Sequence, residues 1–299
     1  AFDDDFTIQP GLPRRLNQAG PALAAADIDR DGDRDLIITD TLDARLLLLI
    51  NDGRGRFAES PNSLPVGGRG VVVFNNGRAL QLLHLSEPPI LYTVADGQLS
   101  LAKRLDFGGV PSCANAFDAD GDGDLDLFIG GGSLLGQFPV AAPSQLFINH
   151  GGDFVGSPLV KARPVTGCAA GDIDADGDTD LVLAREWGSL MLLLNNGGTF
   201  TDASEAWGLA PHTGLWNGVT LGDFDGDGRP DIAASNAGRN TVYELYPKPV
   251  RLFYGDADGD DVMEIAEGFI DRGSKHLKPI RKLDVFENCL LYTSDAADE

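Results

Sequence analysis

"DADGDGDLDLFIG" (residues 118–130) sets five aspartates at alternate positions within nine residues and then turns apolar. Two carboxylates about 5 Å apart repel by roughly 3 kcal/mol at an effective dielectric of 20. The chain nevertheless repeats the arrangement. "DIDRDGDRDLIIT" starts at Asp27, "DIDADGDTDLVLA" at Asp172 and "DFDGDGRPDIAAS" at Asp223, with a weaker copy, "DADGDDVMEIAEG", at Asp256. The 91 residues from Asp27 to Asp118 are nearly twice the next spacing of 54, so a degenerate copy belongs between them. "GVVVFNNGRALQLLHL" (70–85) fills that place, with Val, Phe and Asn where the acids would stand.

Around each loop the sequence follows one grammar. A short apolar lead-in such as "GCAAGD" precedes the loop, and a β-rich run such as "LVLA" follows it. A further strand then ends in an Asn-Gly type turn ("LLLLINDG", "QLFINHGG", "LMLLLNNGG"), and a last strand opens at Phe in "GRFAES", "GDFVGS" or "GTFTDAS". Asn, Asp and Gly supply the positive φ that such hairpin turns require. Four short strands per unit of about 50 residues is the signature of a β-propeller blade. The expected fold is therefore all-β, a propeller of four-stranded blades. Residues 1–20 read as the last strand of a preceding blade, because "AFDDDFTIQPGLP" resembles "TFTDASEAWGLAP" at 199–211. Blades follow over 21–250, the acid-free one at 67–110, and 251–288 read as a partial further blade. "CLLYTSDAADE" (289–299) reads as the translation of a transposon-based sequencing adapter, and is set aside from the fold.

The pattern D-x-D-x-D-G-x-x-D gives the acids a purpose. Ca²⁺ takes six to eight oxygens at 2.3–2.6 Å from a flexible loop. Side chains at positions 1, 3 and 5 converge within a tight turn, glycine at position 6 permits the sharp bend, position 7 offers its carbonyl, and position 9 closes the shell with a carboxylate. The candidate ligands are Asp27, Asp29, Asp31, Asp33 and Asp35 in the first loop and Asp118, Asp120, Asp122, Asp124 and Asp126 in the second. The third offers Asp172, Asp174, Asp176, Asp178 and Asp180, and the fourth Asp223, Asp225, Asp227, Arg229 and Asp231. The fifth offers Asp256, Asp258, Asp260, Val262 and Glu264, but has Asp261 where glycine is expected. Four calcium ions are expected, with the fifth loop a further candidate. An EF-hand needs Glu at position 12 between helices. Ile38, Ile129, Leu183 and Ala234 hold that position in the first four loops; only the fifth has an acid there, Glu267.

These loops, each leading into a strand, resemble FG-GAP/VCBS repeats, the blades of integrin α-chain propellers and of many secreted bacterial proteins. "GLWNGVTLGDFDGDGRPDI" (214–232) and "RLFYGDADGDDVMEIAEGFID" (251–271) resemble more narrowly the cartilage-acidic-protein-like, ASPIC/UnbV-associated branch. The resemblance spans roughly 21–288. It implies a ring that normally closes with seven blades, of which about six are represented here, and a structural role for calcium on the face opposite a ligand surface. The acid-free second blade and the glycine-less fifth loop depart from the family pattern.

Net charge is −23, from 46 acidic and 23 basic residues, so the basic footprint of a nucleic-acid binder is absent. The longest apolar run, "LLLLI" at 46–50, has the length of a strand and cannot span a membrane. No nucleophile elbow, phosphate loop or CxxC pair is present. His84, His150, His212 and His276 share no metal spacing, and Trp187, Trp207 and Trp216 suit either inter-blade packing or a rim. Cys113 and Cys168 stand five and four residues before their loops, as small inner-strand residues or as an inter-blade disulfide. The functional expectation is a non-catalytic, calcium-stabilised adhesion or partner-binding module, secreted, periplasmic or at the cell surface, with a protein or glycan ligand. The alternative is an enzyme on the same scaffold, such as a polysaccharide lyase or a phosphoesterase.

Overall fold

In the computed structural model, which describes residues 5–16, 21–40, 44–160, 163–239 and 241–280, the chain is all-β apart from a few short turns of helix. It divides into two units. The larger takes in Gln18–Gly132 and Ala141–Asn236, and the smaller Ala1–Asn17, Ser133–Val140 and Ala237–Glu299.

The larger unit is built from four-stranded antiparallel sheets in simple meander order. The first holds β1 (Ala22–Ala26), β2 (Asp35–Asp40), β3 (Arg45–Asn51) and β4 (Phe57–Glu59). The second holds β5 (Val71–Asn75), β6 (Leu80–His84), β7 (Ile90–Ala95) and β8 (Gln98–Arg104). The third holds β9 (Pro111–Phe117), β10 (Asp126–Gly131), β11 (Ser144–His150) and β12 (Asp153–Val160). The fourth holds β13 (Val165–Gly171), β14 (Asp180–Ser189), β15 (Met191–Asn196) and β16 (Thr199–Asp202). Along β2 the side chains alternate as the strand period demands, with Asp35, Ile37 and Thr39 buried and their neighbours half-buried. β10 is buried along its whole length, and its Phe128 packs with Leu181 and Leu183 of the fourth sheet.

The first strands stand side by side in chain order, β1 against β5, β5 against β9 and β9 against β13. Apolar side chains fill the layers between successive sheets. Ile37, Leu46 and Leu48 meet Leu82, Tyr92 and Val94 between the first and second sheets. Phe117, Phe128 and Leu146 meet Leu181, Leu183 and Leu193 between the third and fourth. This sheet-on-sheet burial is what a propeller uses in place of a single central core. His84, fully buried at the end of β6, has its imidazole pushed down to about 4 by burial and is neutral at pH 7. His150, His212 and His276 are exposed, and Trp207 also faces solvent.

Two stretches differ from the expected four-strand grammar. After the fourth acidic loop, β17 (Thr213–Gly222) pairs with β18 (Asp231–Asn236), and no third or fourth strand of that repeat follows among the described residues. "AGRN" at 237–240 breaks the apolar pattern and a 3-10 turn, Val242–Leu245, replaces the strand. β17 sits beside β13 and also pairs with the end of β14 through Glu186, Gly188 and Ser189. Near the N-terminus, Asp5–Ile8 forms a single helical turn, α1, rather than a strand; residues 1–4 and 17–20 of that expected element lie outside the described residues. So does the expected adapter segment, 289–299.

In the smaller unit, β19 (Val250–Gly255), β20 (Glu264–Ile270) and β21 (Leu277–Pro279) form a three-stranded sheet. The Gln9 amide, just after α1, donates to the carbonyls of Phe138 and Met263 at 2.9 and 2.7 Å, and its oxygen accepts the Phe138 amide at 3.1 Å. One buried side chain thus ties together three segments distant in sequence.

Candidate metal centres

All five acidic loops connect the first strand of a sheet to the second, and all five fold alike. The position-1 aspartate accepts backbone N–H groups from across its own loop. In the second loop Asp118 accepts Gly121 at 2.8 Å and Gly123 at 3.0 Å; in the fourth, Asp223 accepts Gly226 at 2.7 Å and Gly228 at 3.0 Å. The position-5 aspartate accepts the position-7 amide, as Asp31 does from Asp33 at 2.9 Å and Asp176 from Asp178 at 2.9 Å. Such bonds fix each loop with one oxygen-rich side.

Position 9 is the anchor. Asp126 is fully buried; one of its oxygens accepts the Ala119 amide at 2.8 Å and the other the Asn149 amide at 2.7 Å. Asp180 does the same with Ile173 at 2.7 Å and Asn195 at 2.8 Å, and Asp35 with Ile28 at 2.8 Å and Asn51 at 2.9 Å. Burial raises the Asp126 and Asp180 carboxyls above the usual range, and the backbone amides offset part of that rise. The neighbouring Asp120 and Asp122 raise Asp126 further, and Asp174 raises Asp180.

The carboxylates converge. One oxygen each from Asp27, Asp29 and Asp31 lies within 4.8 Å of the others, and likewise for Asp118, Asp120 and Asp122. The same holds for Asp172, Asp174 and Asp180, for Asp223, Asp225 and Asp231, and for Asp256, Asp258 and Asp260. Asp33, Asp124 and Asp178 at position 7 stand outside these triads, and the Asp178 carboxylate accepts the Gly197 amide at 2.8 Å instead; Arg229 and Val262 carry no carboxylate there. Glu264, Asp35, Asp126, Asp176 and Asp227 also stand outside the tight triads. The donor set is all oxygen and anionic, half-buried to exposed except for the buried Asp180. It fits a hard divalent cation and suits no soft metal.

The fifth loop keeps the geometry despite its substitution. Asp261 takes the glycine conformation, φ 68°, and its amide bonds Asp256 at 3.1 Å, as Gly228 bonds Asp223. Glu264 reaches back to accept the Ala257 amide at 2.7 Å, replacing the shorter aspartate. Strands β19 and β20 flank this loop, and Glu267 is buried within β20, where the Tyr243 hydroxyl donates to it. The fifth loop is therefore no EF-hand either.

Sequence reasoning missed two features. Position 4 is also left-handed, with φ between 64° and 81° at Arg30, Gly121, Ala175, Gly226 and Gly259. For an L-residue that conformation costs about 1–2 kcal/mol, of which the greater unfolded-state freedom of glycine cancels part. Ala175→Gly is thus expected to stabilise the protein by about 0.5–1 kcal/mol, a melting shift of roughly 1–4 °C. An unchanged or lower melting temperature would show that the loop relaxes around alanine.

The second missed feature is the asparagine closing the third strand. Asn51, Asn149 and Asn195 donate side-chain N–H to the position-8 carbonyls of Arg34, Leu125 and Thr179, each at 3.1 Å. The recurrent Asn in "LLINDG", "LFINHGG" and "LLLNNGG" was visible as a turn signal, and it is also a brace for the loop. Asn195 additionally donates at 2.8 Å to the Ala119 carbonyl, in the acidic loop of the preceding sheet. In the second sheet the Gly97 amide bonds the corresponding Ile28 carbonyl at 2.8 Å. In these two cases the turn locks onto the acidic loop of the preceding sheet. The acid-free sheet lacks the loop altogether, and β5 joins β6 through "NGR", with Asn76 accepting the amides of Arg78 and Ala79 at 3.0 and 2.9 Å.

Residues 172–234, which hold the third and fourth loops with β14 to β18, match the family model of the FG-GAP-like repeat. This stretch is similar to an FG-GAP-like repeat. The first and second loops lie outside the matched residues but share the repeat's hydrogen-bond scheme. No curated protein matches the sequence. Among solved structures, the V. cholerae biofilm matrix protein Bap1 aligns with a TM-score of 0.44 at 14% identity, covering 84% of this chain. The chain spans only 38% of that protein's length. BBS1N, solved in complex with ARL6DN, aligns with a TM-score of 0.46 at 11% identity, over 90% of this chain and 80% of that one. At these scores neither likeness bears on function.

Proposed function

We propose that the chain is a calcium-loaded propeller module that binds a protein or glycan outside the cell and catalyses no reaction. The observation that carries this reading is the fivefold recurrence of one loop, each copy gathering carboxylate oxygens on the same backbone scaffold. Asp27, Asp29 and Asp31 and their counterparts would hold the ion, with the position-7 carbonyl and the position-9 carboxylate completing the shell. Bound Ca²⁺ supplies positive charge among carboxylates that otherwise repel. Such loops with Kd of roughly 10⁻⁴–10⁻³ M are useful where Ca²⁺ is millimolar, which favours an extracellular setting. The ordered stacking of sheets supports blades of a ring, the resemblance to integrin-type repeats supports an adhesion role, and the stretches 214–232 and 251–271 carry the resemblance to the ASPIC/UnbV-associated branch.

Calorimetric titration of the chelator-treated protein with Ca²⁺ tests the reading, and saturable uptake at four or five sites is the expected result. No uptake would end it. The fifth site should be the weakest in the native chain, since Asp261 holds a conformation that glycine adopts without strain. Asp261→Gly should tighten that site several-fold; weaker or unchanged binding there would overturn this account of the loop. Retention on a polysaccharide and cell-surface panel in Ca²⁺, lost in chelator, is expected of a binding module. Turnover of a polysaccharide or phosphoester in the same samples would transfer the reading to the enzyme alternative.

A further inference from the structure

The chain has three cysteines, and the two among the described residues face each other across a sheet boundary. Cys113 lies on β9 opposite Gly130 of β10, and Cys168 lies on β13 opposite Leu183 of β14. β9 and β13 are neighbouring first strands of the third and fourth sheets. Gly130 makes the approach. A Cβ built there would fall 2.6 Å from Cys113 Sγ and 3.1 Å from Val165 Cγ1 of β13, so the Cys113 sulfur occupies the room the glycine leaves, on the side of β13. Both cysteines pack on the one apolar cluster that contains Phe128, Leu181 and Leu183. The Cys168 thiol donates a hydrogen bond to the Cys113 sulfur; that bond first, and burial second, push its pKa well above the ordinary thiol value. The two thiols are thus hydrogen-bond partners on neighbouring strands.

We propose that Cys113 and Cys168 are a redox pair that closes a covalent staple between the third and fourth sheets when the protein meets a small-molecule disulfide oxidant. Cys113, which receives the hydrogen bond, reacts first. Its thiolate attacks the oxidant RSSR, giving a mixed disulfide and releasing one RS⁻. Cys168 then loses its proton to solvent, and its thiolate attacks the Cys113 sulfur and expels the second RS⁻. The protein gives up two electrons and two protons, and RSSR leaves as two RSH. The raised Cys168 pKa makes this second step the slow one, because only the thiolate attacks. In an extracellular or periplasmic setting the staple forms and persists, and in a reducing one the pair remains as thiols.

The test uses the full chain carrying Cys289→Ser, which removes the third thiol. The protein is equilibrated with oxidised and reduced glutathione, then examined by intact mass, peptide mapping and thermal melting. The expected product has lost two hydrogens and yields a cross-linked peptide pair containing Cys113 and Cys168. It melts roughly 5–10 °C above the same sample in dithiothreitol, since the staple closes a loop of some 50 residues. Cys168→Ser should trap a glutathione adduct on Cys113, and Cys113→Ser should show no reductant-dependent melting. Two free thiols persisting in oxidised glutathione, including after unfolding and refolding in it, would overturn the proposal. So would a stable glutathione adduct on Cys113 in the presence of Cys168. The mass readout stands on the two-cysteine protein itself, so a variant that fails to fold leaves the test intact.

Discussion

Chelating calcium from the protein held in 5 mM Ca²⁺ is expected to lower its melting temperature by at least about 10 °C. Each ion that binds the folded loop and not the unfolded one contributes RT ln(1 + [L]/Kd), about 1–2 kcal/mol per site at this concentration and Kd near 10⁻⁴–10⁻³ M. The five candidate loops lie in one chain, so the contributions of those that bind would accumulate. Removing the ions also restores repulsion among triads whose carboxylate oxygens lie within 4.8 Å of each other. The measurement is a pair of thermal melts, in Ca²⁺ and in EGTA with Mg²⁺ added back. Identical curves would remove the structural role assigned to calcium. Recovery with Mg²⁺ alone would show that the loops do not discriminate by size and ligand number as Ca²⁺ sites do.

Asp126→Ala is expected to destabilise the protein by about 3–5 kcal/mol whether or not calcium is present. Asp126 is wholly buried and accepts two backbone amides, Ala119 at 2.8 Å and Asn149 at 2.7 Å. Its loss strands both donors in the interior and opens a void between loop and sheet, costs that owe nothing to a cation. Asp120→Ala is the contrast. That side chain reaches no buried donor and sits at the loop rim, so its replacement should weaken calcium binding yet leave the melting temperature in EGTA within about 2 °C of the native protein. Melting both variants with and without calcium separates the roles. If Asp126→Ala were silent in EGTA, the buried hydrogen bonds would not be the anchor described; if Asp120→Ala were equally damaging there, its role would be structural.

The all-β class, the strand-turn grammar and the five loops were legible in the sequence because each rests on local chemistry. Alternating apolar residues make a half-buried strand, Asn-Gly makes a hairpin turn, and alternate aspartates around a glycine make one oxygen-rich loop. Even the acid-free copy at 70–85 could be located by spacing, and its strands β5 and β6 lie within it. The positive φ at position 4 was not legible. Arg30 and Ala175 carry no glycine signal there, and the network of amides on Asp27 and Asp172 holds them in place.

By itself the sequence determined what each short segment does, since a turn, a strand or an acidic loop is stabilised by residues a few positions apart. Only the tertiary structure decided what depends on distant partners. It turned position 9 from a presumed ligand alone into a buried anchor, because Asn149 arrives beside Asp126 from 23 residues away. It set the Asn195 amide on the loop of the preceding sheet, 76 residues distant. Among the described residues it left the fourth-loop repeat with two strands, where the chain passes into the smaller unit. It also brought Cys113 against Cys168 over the gap at Gly130. Which first strand lies beside which, and which glycine leaves room for a neighbour's sulfur, follows from how whole sheets stack, and no local pattern encodes that.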